Sequence, residues 1–221
     1  MAEQTHQTHL TQRTAIQGRA AALRIENLDT DQIMPKQFLR GINKAGLAQG
    51  LLYDLRFDAQ GLPRPGFVLN QPAAQGVSLL LGGANFGCGS SREHAVWGLQ
   101  QYGIRAVIAP SFGEIFYSNA MNNGLLALML PADVVATLMA AVDTDPTLDI
   151  SIALDTCELR AGAQVWPFEL SARHRRMLME GLDVIGLSLT YAADIQAFAA
   201  RQAQQSPWLV DVAARTRARV A

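Results

Sequence analysis

One short segment concentrates the residues that can do chemistry. Gly82 to His94 reads GGANFGCGSSREH and packs four glycines, two serines and an arginine between an apolar run and a helix-length stretch. Glycines let a backbone approach a ligand closely, free N–H groups at a helix start point outward, and the helix dipole favours a carboxylate or phosphate there. Arg92 adds a planar fork matched to a carboxylate. The same residues also suit a plain tight turn in which Ser90 or Ser91 caps the helix. Nucleotide readings fall away, because no lysine follows the glycines and GGANFGCG does not continue as a dinucleotide fingerprint.

A second polar cluster, Asn27-Leu28-Asp29-Thr30-Asp31, can cap a turn and a following helix. Asp29 and Asp31 read equally as turn formers or as site carboxylates, and Arg40 as a surface charge or a carboxylate grip. Cys88 lies inside the glycine-rich loop, yet no second ligand is spaced near it for a metal. With Cys157 it makes two cysteines, too few for a disulfide framework or for the three or four thiolates of an iron–sulfur cluster. His6, His9 and His174 read as solvent residues.

The elements that must position these loops follow from the apolar rhythm. Arg19 to Ile25 reads as a strand running into the acidic turn; after Pro35 the chain is weakly helical through Leu52. Residues 53–76 hold Gly61, Pro63, Pro65, Gly66, Pro72 and Gly76 and form an excursion. From Val77, short apolar runs alternate with helix-length segments in a βαβαβα pattern, which predicts an α/β fold with a mixed, partly parallel sheet and flanking helices. Trp97, Phe112, Phe116 and Tyr117 belong to its core. LDISIAL and CELRAGAQVWPFEL add strands turning at Ala161-Gly162. SARHRRMLMEGLD is a helix capped by Ser171 and stopped by Gly181, and 192–204 is a further amphipathic helix.

At 221 residues and 49% apolar side chains, the chain can bury one sizeable core. Eighteen basic and 19 acidic residues nearly cancel, so no field for nucleic acid or an anionic membrane is expected. The apolar runs fall far short of the roughly 20 residues of a membrane span. Residues 1–17 lack the apolar stretch of a secretory signal, which predicts a flexible tail and a cytoplasmic protein.

The run NFGCGSSREHA, followed by YGIRAVIAPSFGEIFYSNAMNNGLL, resembles the small-subunit family of isopropylmalate isomerases and the swivelling domain of aconitase. NLDTDQIMPKQFLRG near the N-terminus and GLDVIGLSLTYAADIQAFAARQAQQSPWL near the C-terminus extend the resemblance over about residues 18–210. It implies one swivelling β/β/α-type domain over 18–210, with 211–221 as a C-terminal tail.

It also implies roles. Ser90 matches the base that removes and returns a proton at carbon; Ser91, Arg92, Gly89, Thr30, Asp31 and Arg40 match substrate-binding positions; His94 matches a structural one. Ile33 to Arg40, with Ile33, Met34 and Phe38, falls where the alkyl group of the substrate would be selected. The reaction implied is isomerisation of 2-isopropylmalate to 3-isopropylmalate, in leucine biosynthesis, by dehydration and rehydration of the dicarboxylate. This chain would bind no metal, and a [4Fe–4S] cluster would sit on a large partner subunit. Val96, Ala120-Met121, Ala127 and Val184 depart from the family pattern, which leaves citraconate/methylmalate or dimethylmalate as substrates of paralogous enzymes. Outside enzymes of this kind stand a non-catalytic carboxylate-binding module and a regulatory subunit.

Overall fold

Leu79, Leu80 and Leu81 are wholly buried on both faces of the sheet, as the unbroken apolar run of an interior parallel strand requires. Each contributes about 1.5–3 kcal/mol of burial. The computed structural model describes residues 10–39 and 46–220. In chain order the elements begin with β1 (Ala15–Leu23), α1 (Thr30–Ile33), α2 (Leu47–Gly50), α3 (Tyr53–Arg56), β2 (Leu79–Gly82) and α4 (Glu93–Tyr102). There follow β3 (Ala106–Ala109), α5 (Glu114–Asn122), β4 (Leu126–Met129), α6 (Ala132–Thr144), β5 (Asp149–Ala153), β6 (Glu158–Ala161), β7 (Gln164–Pro167) and α7 (Ala172–Glu180). Last come α8 (Val184–Leu189), α9 (Ala192–Gln205) and α10 (Val212–Val220).

The seven strands run in the order β4-β3-β2-β1-β5-β6-β7. The α/β class and the mixed sheet are as expected, and β1 is where the two halves join. Its second half, Ala20 to Leu23, pairs parallel with β2, while its first half, Ala15 to Arg19, pairs antiparallel with β5. The strands β1, β2, β3 and β4 are parallel neighbours, so the loops that leave β1, β2 and β3 open at one end of the sheet. That end is where open α/β sheets place their ligands. The helix α6 lies across β1, β2 and β3, and α4 packs on α2 and α5.

The excursion at 53–76 is a series of short turns: α3 and two 3₁₀ turns, Val68–Asn70 and Pro72–Ala74. Arg56 ties it together, donating to Leu51 O and Asn70 Oδ1 while its guanidinium lies 5.0 Å from both the Phe57 and Tyr102 ring centroids.

Residues 10–17 are not a flexible tail: Leu10 N–H donates to Gly181 O at 2.8 Å, Arg13 N–H to Leu178 O at 3.2 Å, and β1 begins at Ala15. The polar Thr and Gln side chains gave no sign of this, because the ties are made by backbone. Gly181, the left-handed C-cap of α7 with φ +67°, leaves the room: a Cβ there would overlap Leu10 O. Among the described residues the chain divides into two compact units, 10–183 and 184–220. Residues 212–220, within the expected C-terminal tail, are helical, as their alanines and arginines favour. Within the second unit α9 buries no residue; Ile195, Phe198, Trp208 and Leu209 are all exposed.

Candidate active site

The acidic turn leaves β1 and the glycine-rich loop leaves β2, and the two strands are parallel partners up to Leu23 and Gly82. The loops therefore continue side by side. Asn27 N–H donates to Ala84 O, Gly87 N–H to Leu28 O and Thr30 N–H to Cys88 O, all at 2.8–2.9 Å. On its other flank the loop is held by the turn after β3: Phe86 N–H donates to Ser111 O and Gly113 N–H to Phe86 O. Asn27 and Asn85, both with positive φ, add a side-chain bond of 2.9 Å. This backbone ladder fixes the loop before any side chain contributes.

Asp29 caps α1, accepting from Asp31 N–H at 2.6 Å, while Gln32 Oε1 accepts from Asp29 N–H at 3.1 Å to complete a capping box. The cap aims Asp31 at Arg92: Oδ1 and Nη2 stand 2.6 Å apart. Lys36 Nζ lies 3.8 Å from the other Asp31 oxygen. Arg92 is 13% exposed, and its Nη1 is buried without a hydrogen-bond partner. A buried, unpaired guanidinium nitrogen is costly and suits a site that awaits an anion.

Neither Ser90 nor Ser91 caps α4. The N-cap is Arg92, whose side chain makes no capping bond, so no side chain caps the N–H groups at the start of α4, although Glu93 places a carboxylate in its first turn. Both serines are exposed, and their hydroxyls make no hydrogen bond among the described residues. Gly89, with φ +87°, lies against the Asp29 carboxylate. Beside them Gly87, Cys88, Gly89, Gly113, Glu114 and Ile115 line a shallow hollow of about 240 Å³. Cys88 Sγ lies 3.3 Å from Asn27 O as a donor.

Thus Asp31, Ser90, Ser91, Arg92 and Gly89 come together at one end of the sheet. Thr30 is also there but buried to 1%, with its Oγ1 donating to Ser90 O at 2.8 Å, so it faces the loop rather than a substrate. Ile33 and Met34 do not line an opening: both are fully buried, and Met34 packs against Gly50 and Gly98. A four-residue helix places its apolar positions into the core, where packing decides. Phe38 is half-buried against Tyr53, ring centroids 5.1 Å apart. Arg40 lies outside the described residues.

Three side chains were missed by sequence reasoning or read differently. Lys36, the second cation near Asp31, stands next to Pro35 with no motif to mark it. Asn123 accepts from Trp97 Nε1 at 2.9 Å and donates to Glu93 at 2.6 Å, which holds Glu93 at the start of α4. His174 is not a plain solvent residue, since its Nδ1 lies 3.4 Å from the Tyr117 hydroxyl. Burial, helped by Arg173, holds its imidazole below the ordinary histidine range. Burial raises the Tyr117 phenol. His94 packs against Trp97 at 4.7 Å between ring centroids, a structural contact.

Known proteins resemble this chain over nearly its whole length. The aconitase C-terminal domain matches residues 11–133, and the C-terminal domain of the 3-isopropylmalate dehydratase small subunit matches 185–212. A 3-isopropylmalate dehydratase small subunit 1 of Chromobacterium violaceum is 58% identical over 212 residues, covering 96% of this chain and 100% of that one. A 3-isopropylmalate dehydratase small subunit of Parafrankia is 50% identical over 87% of this chain and 94% of its own. The crystal structure of a 3-isopropylmalate dehydratase from Methanocaldococcus jannaschii superposes with a TM-score of 0.60 at 29% identity, covering 84% of this chain and 99% of that one.

Proposed function

The chain belongs to the 3-isopropylmalate dehydratase small-subunit family, a hydro-lyase family related to aconitase, and from that membership we propose that it carries the proton-transfer half of a two-chain active site. The substrate is 2-isopropylmalate, and the partner is a large subunit. Ser90 removes and returns the carbon-bound proton; Ser91 and Arg92 hold a carboxylate.

One observation carries this reading: Arg92 keeps a buried donor free beside two exposed, unpartnered serines. An unperturbed serine is a poor base, so its alkoxide needs donors and positive charge close by. Arg92 supplies charge and donors, and the uncapped N–H groups at the start of α4 supply further donors. Positioned base chemistry contributes about 10²–10⁴ in rate.

The two cysteines of this chain are too few for an iron–sulfur cluster, which wants about three or four thiolates. No group of three His, Cys, Asp or Glu fit to hold a metal occurs among the described residues, and Cys88 and Cys157 are single free thiols. The [4Fe–4S] cluster therefore belongs, in this reading, to the large subunit. No helix among the described residues is long and apolar enough to cross a membrane, and a cytoplasmic site of action accords with the free thiols.

The test is anaerobic reconstitution with a cluster-bearing large subunit, following isopropylmaleate, citraconate and dimethylmaleate by the absorbance of their double bonds. Turnover of isopropylmaleate that needs both chains and collapses in Ser90→Ala supports the assignment. Preference for either other diacid overturns the substrate, and full activity of Ser90→Ala overturns the base.

A further inference from the structure

Thr30 is the only polar or charged residue that is buried among the described residues, at 1% exposure. It begins α1 on the acidic turn, yet both of its donors go to the glycine-rich loop. Its N–H donates to Cys88 O at 2.9 Å and its Oγ1 to Ser90 O at 2.8 Å, 60 positions away in sequence. A buried hydroxyl facing the loop in this way cannot touch a substrate on the exposed side of Ser90.

The bond to Ser90 O has a geometric consequence. In a planar trans peptide, the carbonyl of one residue and the N–H of the next point in opposite directions. With Ser90 O drawn inward to Thr30, Ser91 N–H points the opposite way, away from the buried hydroxyl. Ser91 N–H makes no hydrogen bond among the described residues. Two further contacts hold the same segment from its N-terminal side: Thr30 N–H on Cys88 O, and Asp29 against Gly89.

We infer that Thr30 is a positioning residue for proton transfer: its buried hydroxyl sets the Ser90–Ser91 peptide plane so that the Ser90 hydroxyl and Ser91 N–H face the substrate together. The inference rests on the reading of Ser90 as the base. Misplacement of a reacting group by about 1 Å costs on the order of 10²-fold in rate. Losing this one bond leaves the backbone ladder in place, so a smaller effect is expected.

The experiment compares Thr30→Val, which keeps the side-chain volume without the donor, with Thr30→Ser, which keeps the donor. Both are made in the full chain and reconstituted with the large subunit. For Thr30→Val the expected result is a fall in kcat of about 10- to 100-fold, with KM for the diacid changed by less than about threefold. Amide exchange should also quicken in peptides spanning 87–92 of this chain alone. Thr30→Ser should recover most of kcat. Wild-type kcat in Thr30→Val overturns the inference. So does a loss that Thr30→Ser fails to recover and that tracks only a lower unfolding midpoint, because that is a plain stability role. Ser90→Ala is measured alongside: if it stays active, the base assignment has failed, whereas an inactive Ser90→Ala beside an active Thr30→Val removes the positioning role alone.

Discussion

Gly89 sits so close to Asp29 that a Cβ at 89 would come 2.6 Å from Asp29 Cγ. The two residues lie on different loops, so glycine at 89 lets the acidic turn and the serine loop approach to the distance at which Thr30 reaches Ser90. Gly89→Ala meets two obstacles at once: the φ of +87° and the Asp29 carboxylate. It should destabilise the chain by about 1–3 kcal/mol and lower kcat of the reconstituted enzyme. Denaturant unfolding and steady-state rates on the same preparation check this; an unchanged midpoint would show that the loops separate without cost.

Arg92 offers a carboxylate more than charge, because Nη2 is engaged by Asp31 while Nη1 remains buried and unpartnered. Lysine can keep the pairing with Asp31 but lacks a second donor at a fixed angle. Arg92→Lys should therefore lose one charge-assisted bond to substrate, about 1.5–3 kcal/mol, which is roughly 10- to 150-fold in KM. The readout is KM for the diacid, with kcat falling less than KM rises. A variant with wild-type KM would mean that Nη1 binds no carboxylate.

How far the sequence reveals this site depends on which force places each residue. The alternation of buried apolar runs with helices identifies a partly parallel sheet, but only the family resemblance joins the acidic turn to the Ser90 loop; the parallel pairing of β1 with β2 that brings their ends together is a long-range choice the rhythm does not show. The capping box at Asp29 and Gln32 is local and legible. The contacts of Ile33 and Met34 are not, since an apolar side chain on a four-residue helix reads the same whether it lines a pocket or fills the core. The backbone tie of Leu10 to Gly181 and the pairing of His174 with Tyr117 are long-range and carry no periodic signal.

Met34 illustrates the difference. It is fully buried against Gly50 and Gly98, so Met34→Ala should open a cavity and destabilise by about 2–5 kcal/mol. The relative rates with isopropyl-, methyl- and dimethyl-substituted diacids should stay as they are in the unaltered chain. Competition between paired diacids measures those ratios directly. A variant with little loss of stability and an altered ratio would return Met34 to the substrate pocket.

His174 and Tyr117 predict how stability follows pH. Burial first, then Arg173, depresses the His174 imidazole below its ordinary 6.5, so the unfolded chain binds that proton before the folded chain does. Its contribution to stability is full above about pH 6.5 and is lost as pH falls through the depressed folded value. Tyr117 acts with the opposite sign, because burial raises its phenol above 10.0. That contribution is full below about pH 10 and is lost as pH rises through the raised folded value. His174→Gln should flatten the acid side alone and Tyr117→Phe the alkaline side alone. Urea unfolding at stepped pH, with an NMR titration of the His174 ring, separates the two. An imidazole midpoint at or above 6.5 would remove the acid-side argument, whatever the unfolding curves show.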